Sequence, residues 1–411
     1  MIRAVLGTRS HVLSVSLAAT TLIASTALAD ELFVTDRATD RILSFDPETG
    51  AFNRVLVDSG LLIPSSLAFG PGGFLYVGNL GTGQVLKVDP VTGATSPYTI
   101  IGGPGGLLYD EATNTIFVSE FGNFDGDEIY QVDAGGNIIN VIDSGTDDDP
   151  SPKTGRTGMA LRDGDLYVGA FADEGFFAGK VRKFVRQINF AFEGVVASDP
   201  AFGFGGANGL GFSESGDLYV AGLLNQGVKK FNIDGGPDLT PESFGPSIAY
   251  PAGLLIETEG ESEVMYVTSL GNDNPTDPIY GAFLFPGAVY KFDVATGGLI
   301  GGQPLITSRG ASDYDNDGVV DQNDLPKWVK GFGESGPGSN VGDGDNDGDS
   351  DGEDFLLWQR NAGGLGDFQP TAVALYRTPV EIAAVPEPAS MTAATMALAA
   401  LVGLRRRRKL A

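Results

Sequence analysis

Cysteine is absent from the 411 residues, and histidine occurs once, at His11. Without cysteine there are no disulfides, no thiolate nucleophile and no cysteine-ligated zinc. The lone histidine lies in a segment that reads as a secretory signal peptide over residues 1–29. Arg3 and Arg9 precede an apolar run from Val12 to Leu28, and Ala27-Leu28-Ala29 supplies a small-x-small cleavage site before Asp30. Six serines and threonines inside that run weigh against a permanent membrane helix. The exported body is therefore expected to hold neither Cys nor His. Ser-His-Asp triads, cysteine–histidine pairs and histidine acid–base chemistry are excluded. Any catalysis would run on carboxylates, lysines, tyrosines or a hard metal ion.

Positive charge is also scarce. The chain has 26 Lys+Arg against 53 Asp+Glu, a formal charge of −27. Without Arg3, Arg9 and the five basic residues of 405–409, 19 basic residues remain and the charge approaches −34. Such a surface repels nucleic acid and anionic lipid, so no nucleic-acid partner is expected.

Glycine, by contrast, is abundant at 60 residues, about twice the usual share. It punctuates a repeat. Phe33-Val-Thr-Asp36, Tyr76-Val-Gly-Asn79, Phe117-Val-Ser-Glu120, Tyr167-Val-Gly-Ala170, Tyr219-Val-Ala-Gly222 and Tyr266-Val-Thr-Ser269 are six copies of one strand. Each is followed by a second strand, such as Arg41 to Asp46 or Ala288 to Asp293, and the alternation predicts half-buried strands. Turns such as Asp46-Pro-Glu-Thr-Gly50 and Asp89-Pro-Val-Thr-Gly93 carry the chemistry of a chain reversal. Five copies have a third strand ahead of them, such as Leu67–Phe69 or Leu210–Phe212. The first copy lacks one, and Thr371–Tyr376 is either its distant source or part of a plain linker, here assigned to residues 365–384. Four strands per 40–50 residues predict an all-β, six-bladed β-propeller over residues 30–308.

Two twelve-residue stretches follow, Asp313–Asp324 and Asp343–Asp354. Calcium takes six to eight oxygen ligands, which a loop presents from positions 1, 3, 5, 7, 9 and 12 around a turn glycine at position 6. In the first loop these are Asp313, Asp315, Asp317, Val319 through its carbonyl, Asp321 and Asp324, with Gly318 at the turn. In the second they are Asp343, Asp345, Asp347, Asp349 through its carbonyl, Asp351 and Asp354, with Gly348. A solvated acidic linker is the alternative. Against it stand the glycine phase, the duplication, and the only two tryptophans, Trp328 and Trp358, each four residues past a loop. Helix-breaking residues precede both loops and helical spacing follows them, so each unit is loop–helix and not helix–loop–helix.

Three resemblances follow from these motifs. The doubled loop–helix unit over residues 313–364 resembles the type I dockerin module, which implies calcium as cofactor and a cohesin-like protein as partner. Loop positions 10 and 11, which help select the cohesin in that family, are Gln322 and Asn323 in one loop and Gly352 and Glu353 in the other, with no hydroxyl pair. At the C-terminus, Val385-Pro-Glu-Pro-Ala389, an apolar stretch to Leu404 and Arg405–Lys409 resemble the PEP-CTERM sorting signal, assigned to residues 385–411. That resemblance implies an exosortase-type sorting enzyme, transient membrane contact through the tail, and delivery to the surface or extracellular matrix of a Gram-negative bacterium. An uncleaved anchor is the alternative. The repeat phrase Pro-x-Gly-Leu…Leu-Tyr-Val…Lys-Phe-Asp resembles the NHL and gluconolactonase-like group of six-bladed propellers.

In gluconolactonase-like enzymes a divalent metal sits over the central channel, with one ligand from an Asn-Gly-Leu turn. Asn208-Gly209-Leu210 matches that turn. The same position in the other blades is Ser65, Gly105, Thr157 and Ala252, small neutral residues that do not hold a hard cation. Asp36, Asn79 and Glu120 lie nearby and read as bend-forming. Lys180–Arg186 is the one basic cluster, read either as a solvated face or as a contact for anionic polysaccharide. Two function classes stand: a binding or scaffolding platform for protein or polysaccharide, which these residues favour, and a lactonase- or lyase-like enzyme acting on sugars.

Overall fold

The computed structural model describes residues 30–121, 128–143, 156–173, 178–199, 207–222, 227–235, 241–271, 287–307, 312–315, 320–334, 342–344, 349–362 and 368–378. Residues 30–377 form one unit. Residues 1–29 and 385–411, read above as a signal peptide and a sorting signal, lie outside the described residues. Among the described residues no helix is long and apolar enough to cross a membrane.

Six four-stranded antiparallel sheets make the six blades. The innermost strands of blades two to six are Pro64–Phe69, Pro104–Asp110, Arg156–Arg162, Ala207–Phe212 and Pro251–Glu259. Each contains the leading strand expected from the repeat, entered by Gly106, Gly158, Gly209 and Gly253 in four of them and by Ser66 in Pro64–Phe69. Blade one consists of Glu31–Asp36, Arg41–Phe45 and Phe52–Val57, and its innermost strand is Pro370–Tyr376. The stretch 365–384 is thus not simply a linker: its central part closes the ring. Leu32 pairs with Leu375, Phe33 with Ala374 and Val34 with Val373. The propeller therefore runs from residue 31 to residue 376, with the acidic loops spliced in between its sixth blade and its closing strand.

The Phe/Tyr-Val repeat has a single physical basis. Successive residues of a strand point to opposite faces. In every copy the aromatic packs toward the following blade and the valine toward the preceding one. Tyr76 joins the core between blades two and three, for instance, while Val77 joins the core between blades one and two. The six core clusters correspond to the six blade interfaces, with Phe33, Phe117, Tyr167, Tyr219 and Tyr266 repeating the rule. Both faces of these strands are consequently buried; all five residues of Leu75–Asn79 and of Leu218–Gly222 are so. The half-buried expectation fails here because each blade is sandwiched between two others.

The Asp-Pro-x-Thr-Gly turns lock adjacent blades. Asp46 Oδ1 accepts N–H groups from Glu48 and Thr49, and Asp89 Oδ1 accepts those of Val91 and Thr92. Gly50 and Gly93 end these turns with φ of 70° and 73°. A Cβ on Gly93 would stand 1.9 Å from the Leu56 carbonyl oxygen of blade one, so only glycine fits there.

Candidate metal centres and channel mouth

Each loop feeds a helix, Leu325–Gly331 (α1) and Gly352–Asn361 (α2). The loops are related by a repeated set of hydrogen bonds. At position 12, the buried Asp324 accepts the N–H of Asp315 at Oδ1 (3.2 Å) and that of Asp321 at Oδ2 (2.7 Å). The buried Asp354 likewise accepts Gly344 N–H (2.7 Å) and Asp351 N–H (2.6 Å). At position 9, Asp321 and Asp351 each accept the N–H two residues on, from Asn323 and Glu353. Asp351 and Asp354 thereby form a reciprocal capping box that starts α2.

The tryptophans tie the two loops together. Trp328 Nε1 donates to the Asp351 carbonyl and Trp358 Nε1 to the Asp321 carbonyl, both at 2.9 Å. Each indole, four residues past its own loop, thus holds the position-9 carbonyl of the other. Between them, Phe355 lies 4.9 Å from Trp328 and 5.6 Å from Trp358, ring centre to ring centre.

Carboxylates converge in both loops. One oxygen each of Asp313, Asp315 and Asp324 lies within 4.8 Å of the others, and so do oxygens of Asp349, Asp351 and Asp354. Asp321 of the first loop and Asp343 of the second fall outside these triads, and Asp349 joins its triad through the carboxylate. Asp317, Val319, Asp345 and Asp347 lie outside the described residues. Burial raises the Asp324 carboxyl above its ordinary value, opposed by the N–H groups of Asp321, Asp315 and Tyr314, with the charge of Asp315 adding to the rise. Clustered like charges of this kind repel unless a proton or cation sits among them. Each triad gathers only hard carboxylate oxygens, so the donor chemistry fits a hard, oxygen-seeking divalent cation.

The channel mouth is different. Every innermost strand carries a bulge at its start, between Pro64 and Ser66, Pro104 and Gly106, and equivalently around the ring. The bulged positions include Ser65, Gly105, Asn208 and Ala252, and the closing strand adds Thr371; the side chain of Thr157 lies outside the described residues. Ser65 Oγ donates to the Pro104 carbonyl (2.6 Å), and Thr371 Oγ1 to the Pro64 carbonyl (2.7 Å). Hydroxyls at the mouth therefore bind the next blade.

A second group, missed in the sequence, satisfies the bulges from behind. Thr35 Oγ1, Ser119 Oγ and Thr268 Oγ1 accept the N–H groups of Ala372, Gly106 and Gly253 at 2.6–2.8 Å. The hydroxyl after Phe/Tyr-Val in three of the six copies was the available signal.

The nearby polar residues are structural. Asn79 Oδ1 accepts Leu62 N–H and its Nδ2 donates to the Gly60 carbonyl. Glu120 accepts from the Tyr130 hydroxyl, as does Glu128. Asp36 is buried and bonded to Ala38, Thr39 and Gln369. Asn208 differs, since its buried Oδ1 has no hydrogen-bond partner among the described residues.

The basic cluster is not an open anion surface. Arg182 is 2% exposed. Lys183 pairs with Asp165 (3.2 Å) and Glu193 (2.7 Å), and Arg186 with Asp110 of blade three (2.7 Å). The readings as a solvated face or an anion contact fail because the strand is packed between two blades and its basic side chains meet acidic partners from other strands.

No family model and no curated protein matches the chain. Among solved structures it is similar to a chain of the nidogen/laminin complex, at 17% identity and a TM-score of 0.50, covering 66% of this chain and 92% of that one. It is also similar to the gluconolactonase XC5397 from Xanthomonas campestris (17% identity, 66% and 84% covered, TM-score 0.47) and to a protein of unknown function from Bacteroides caccae (14%, 66% and 92%, 0.46). At such identities the likeness is one of fold, and it agrees with the blades counted above: the chain is a six-bladed β-propeller.

Proposed function

We propose that the propeller is a binding or scaffolding platform for protein or polysaccharide. In this reading the chain is exported, sorted by an exosortase-type enzyme through its PEP-CTERM-like tail, and held at the surface or matrix of a Gram-negative bacterium. Its dockerin-like loops hold calcium through Asp313, Asp315 and Asp324 and through Asp349, Asp351 and Asp354, where the ion would neutralise the carboxylates and fix the loops.

One observation carries the choice of binding over catalysis. The channel mouth offers no ring of carboxylates among the described residues, and Ser65 and Thr371 direct their hydroxyls at neighbouring backbone. A catalytic divalent ion needs several convergent ligands, usually including carboxylate. The platform reading is tested by a glycan array and by hydrolysis of aldonolactones, both with the tail-free protein in calcium. Saturable binding with hydrolysis at the buffer rate supports it.

The lactonase- or lyase-like alternative draws on Asn208, which matches the Asn-Gly-Leu turn and whose buried Oδ1 has no hydrogen-bond partner among the described residues. Lactone turnover in calcium, magnesium, manganese or zinc that Asn208→Ala abolishes would replace the platform with the enzyme.

A further inference from the structure

We infer that cation occupancy of the acidic loops controls how firmly the propeller ring is closed. The inference rests on the calcium reading above and adds to it the place of the loops in the chain. Residues 308–369 form an insertion of about sixty residues between the outermost strand of blade six, Ile306–Thr307, and the closing strand, Pro370–Tyr376. The ring is closed only when both ends of this insertion are held at the seam between blades six and one.

The C-terminal end is clamped there. Phe368 is buried in the core shared by blades six and one, 6.1 Å from Phe45 ring to ring. Its carbonyl oxygen lies where a Cβ on Gly287 would stand 1.7 Å away, so blade six has a glycine to admit it. Gln369 donates to Asp36 Oδ1 (2.9 Å) and accepts from Arg37 N–H (3.0 Å) on blade one.

The insertion is also folded back on itself. Tyr314 Oη donates to the Asp354 carbonyl at 3.0 Å, which places the start of the first loop against the start of α2. From Asp354 to the end of α2 the chain rises only about 10 Å. With the loops ordered, the chain to be spanned between blade six and the closing strand shrinks from about sixty residues to about ten. Loop closure becomes less probable roughly as the −3/2 power of loop length, so losing that order lowers the closing probability on the order of tenfold. Without a cation the converging carboxylates repel, and the loops are the part of the insertion that gives way.

Hydrogen–deuterium exchange on the full chain tests this, with calcium and then with a chelator. Exchange of peptides covering residues 31–36 and 370–376 is expected to quicken about tenfold on chelation, with blades two to five unchanged. A Trp328 and Trp358 emission change reports calcium release in the same samples. An Asp324→Asn, Asp354→Asn double variant should show fast exchange of both strands whether or not calcium is present. If emission changes but exchange of the two strands does not, the coupling is wrong and the calcium reading stands. If neither calcium binding nor an emission change is found, the calcium reading fails and the coupling with it. Should the variant not fold, the wild-type comparison alone decides between these outcomes.

Discussion

Asp36 Oδ1 accepts the backbone N–H of Gln369 at 2.9 Å, joining two residues 333 positions apart. The bond fixes the start of the closing strand against the end of the first N-terminal strand. The same carboxylate also accepts Ala38 N–H and the Thr39 hydroxyl (3.1 and 2.6 Å), so one buried side chain organises both partners of the ring closure. Asp36→Ala would leave three donors without an acceptor and should destabilise the propeller by about 2–4 kcal/mol. Asp36→Asn keeps an acceptor and should lose less. Thermal melting of the two variants beside the wild type checks the order.

Closure should likewise depend on the apolar side of the same strand. Leu375 and Val373 pack with Leu32, Val34 and Tyr266 in the core between blades six and one. Leu375→Ala is expected to lose about 2–4 kcal/mol. A urea titration followed by far-UV circular dichroism gives the value. A change indistinguishable from zero would mean the strand does not close the ring in solution.

The turn aspartates give a pH signature. Backbone N–H groups of Thr49 and Thr92 hold Asp46 and Asp89 below their ordinary pKa, as the Asn137 side chain does for Asp133 and the Thr296 hydroxyl for Asp293. A carboxyl lowered on folding contributes stability above its unfolded value of about 4, and this contribution disappears as the pH falls through the lower folded value. Asp89→Asn keeps the acceptor oxygen but not the charge. The stability gap between wild type and Asp89→Asn should therefore be largest above pH 4 and narrow on further acidification. Asp36 runs the other way. Burial raises its carboxyl, so its contribution is whole below the unfolded value and declines as pH rises through the raised one.

Much of this was legible in the sequence, and the exceptions share a cause. Phe/Tyr-Val and the Asp-Pro-x-Thr-Gly turns act over a few residues, so six copies and their strands could be placed by pattern alone. Pro370–Tyr376 could not be fixed in the same way, because nothing local distinguishes a strand whose partner, Glu31–Asp36, lies at the other end of the chain. Lys183 and Arg186 looked like a basic face for a related reason: Asp165 and Glu193 reach Lys183 only when the strands of blade four pair, and Asp110 reaches Arg186 only when blade three packs against it. In the loops, spacing singled out Asp313, Asp315, Asp324, Asp351 and Asp354, whose carboxylates converge, together with Asp321 and Asp343, which lie outside the triads. That the Asp349 carboxylate lies beside those of Asp351 and Asp354 depends on backbone torsion, which spacing does not encode.

The reciprocal indole bonds should tune the loops. Trp328→Phe removes the donor to the Asp351 carbonyl while keeping a ring against Phe355. A lost hydrogen bond of about 1 kcal/mol corresponds to roughly fivefold weaker calcium binding. Trp358→Phe should act equally on the other loop through Asp321. Calorimetric titration of both variants measures the effect.

The most direct measurement is the calcium stoichiometry of the tail-free protein by isothermal titration calorimetry. Two ions per chain are expected, with Asp324→Asn and Asp354→Asn each removing one. Absence of binding at millimolar calcium, or two ions retained in either variant, would contradict the account of the loops as paired calcium sites.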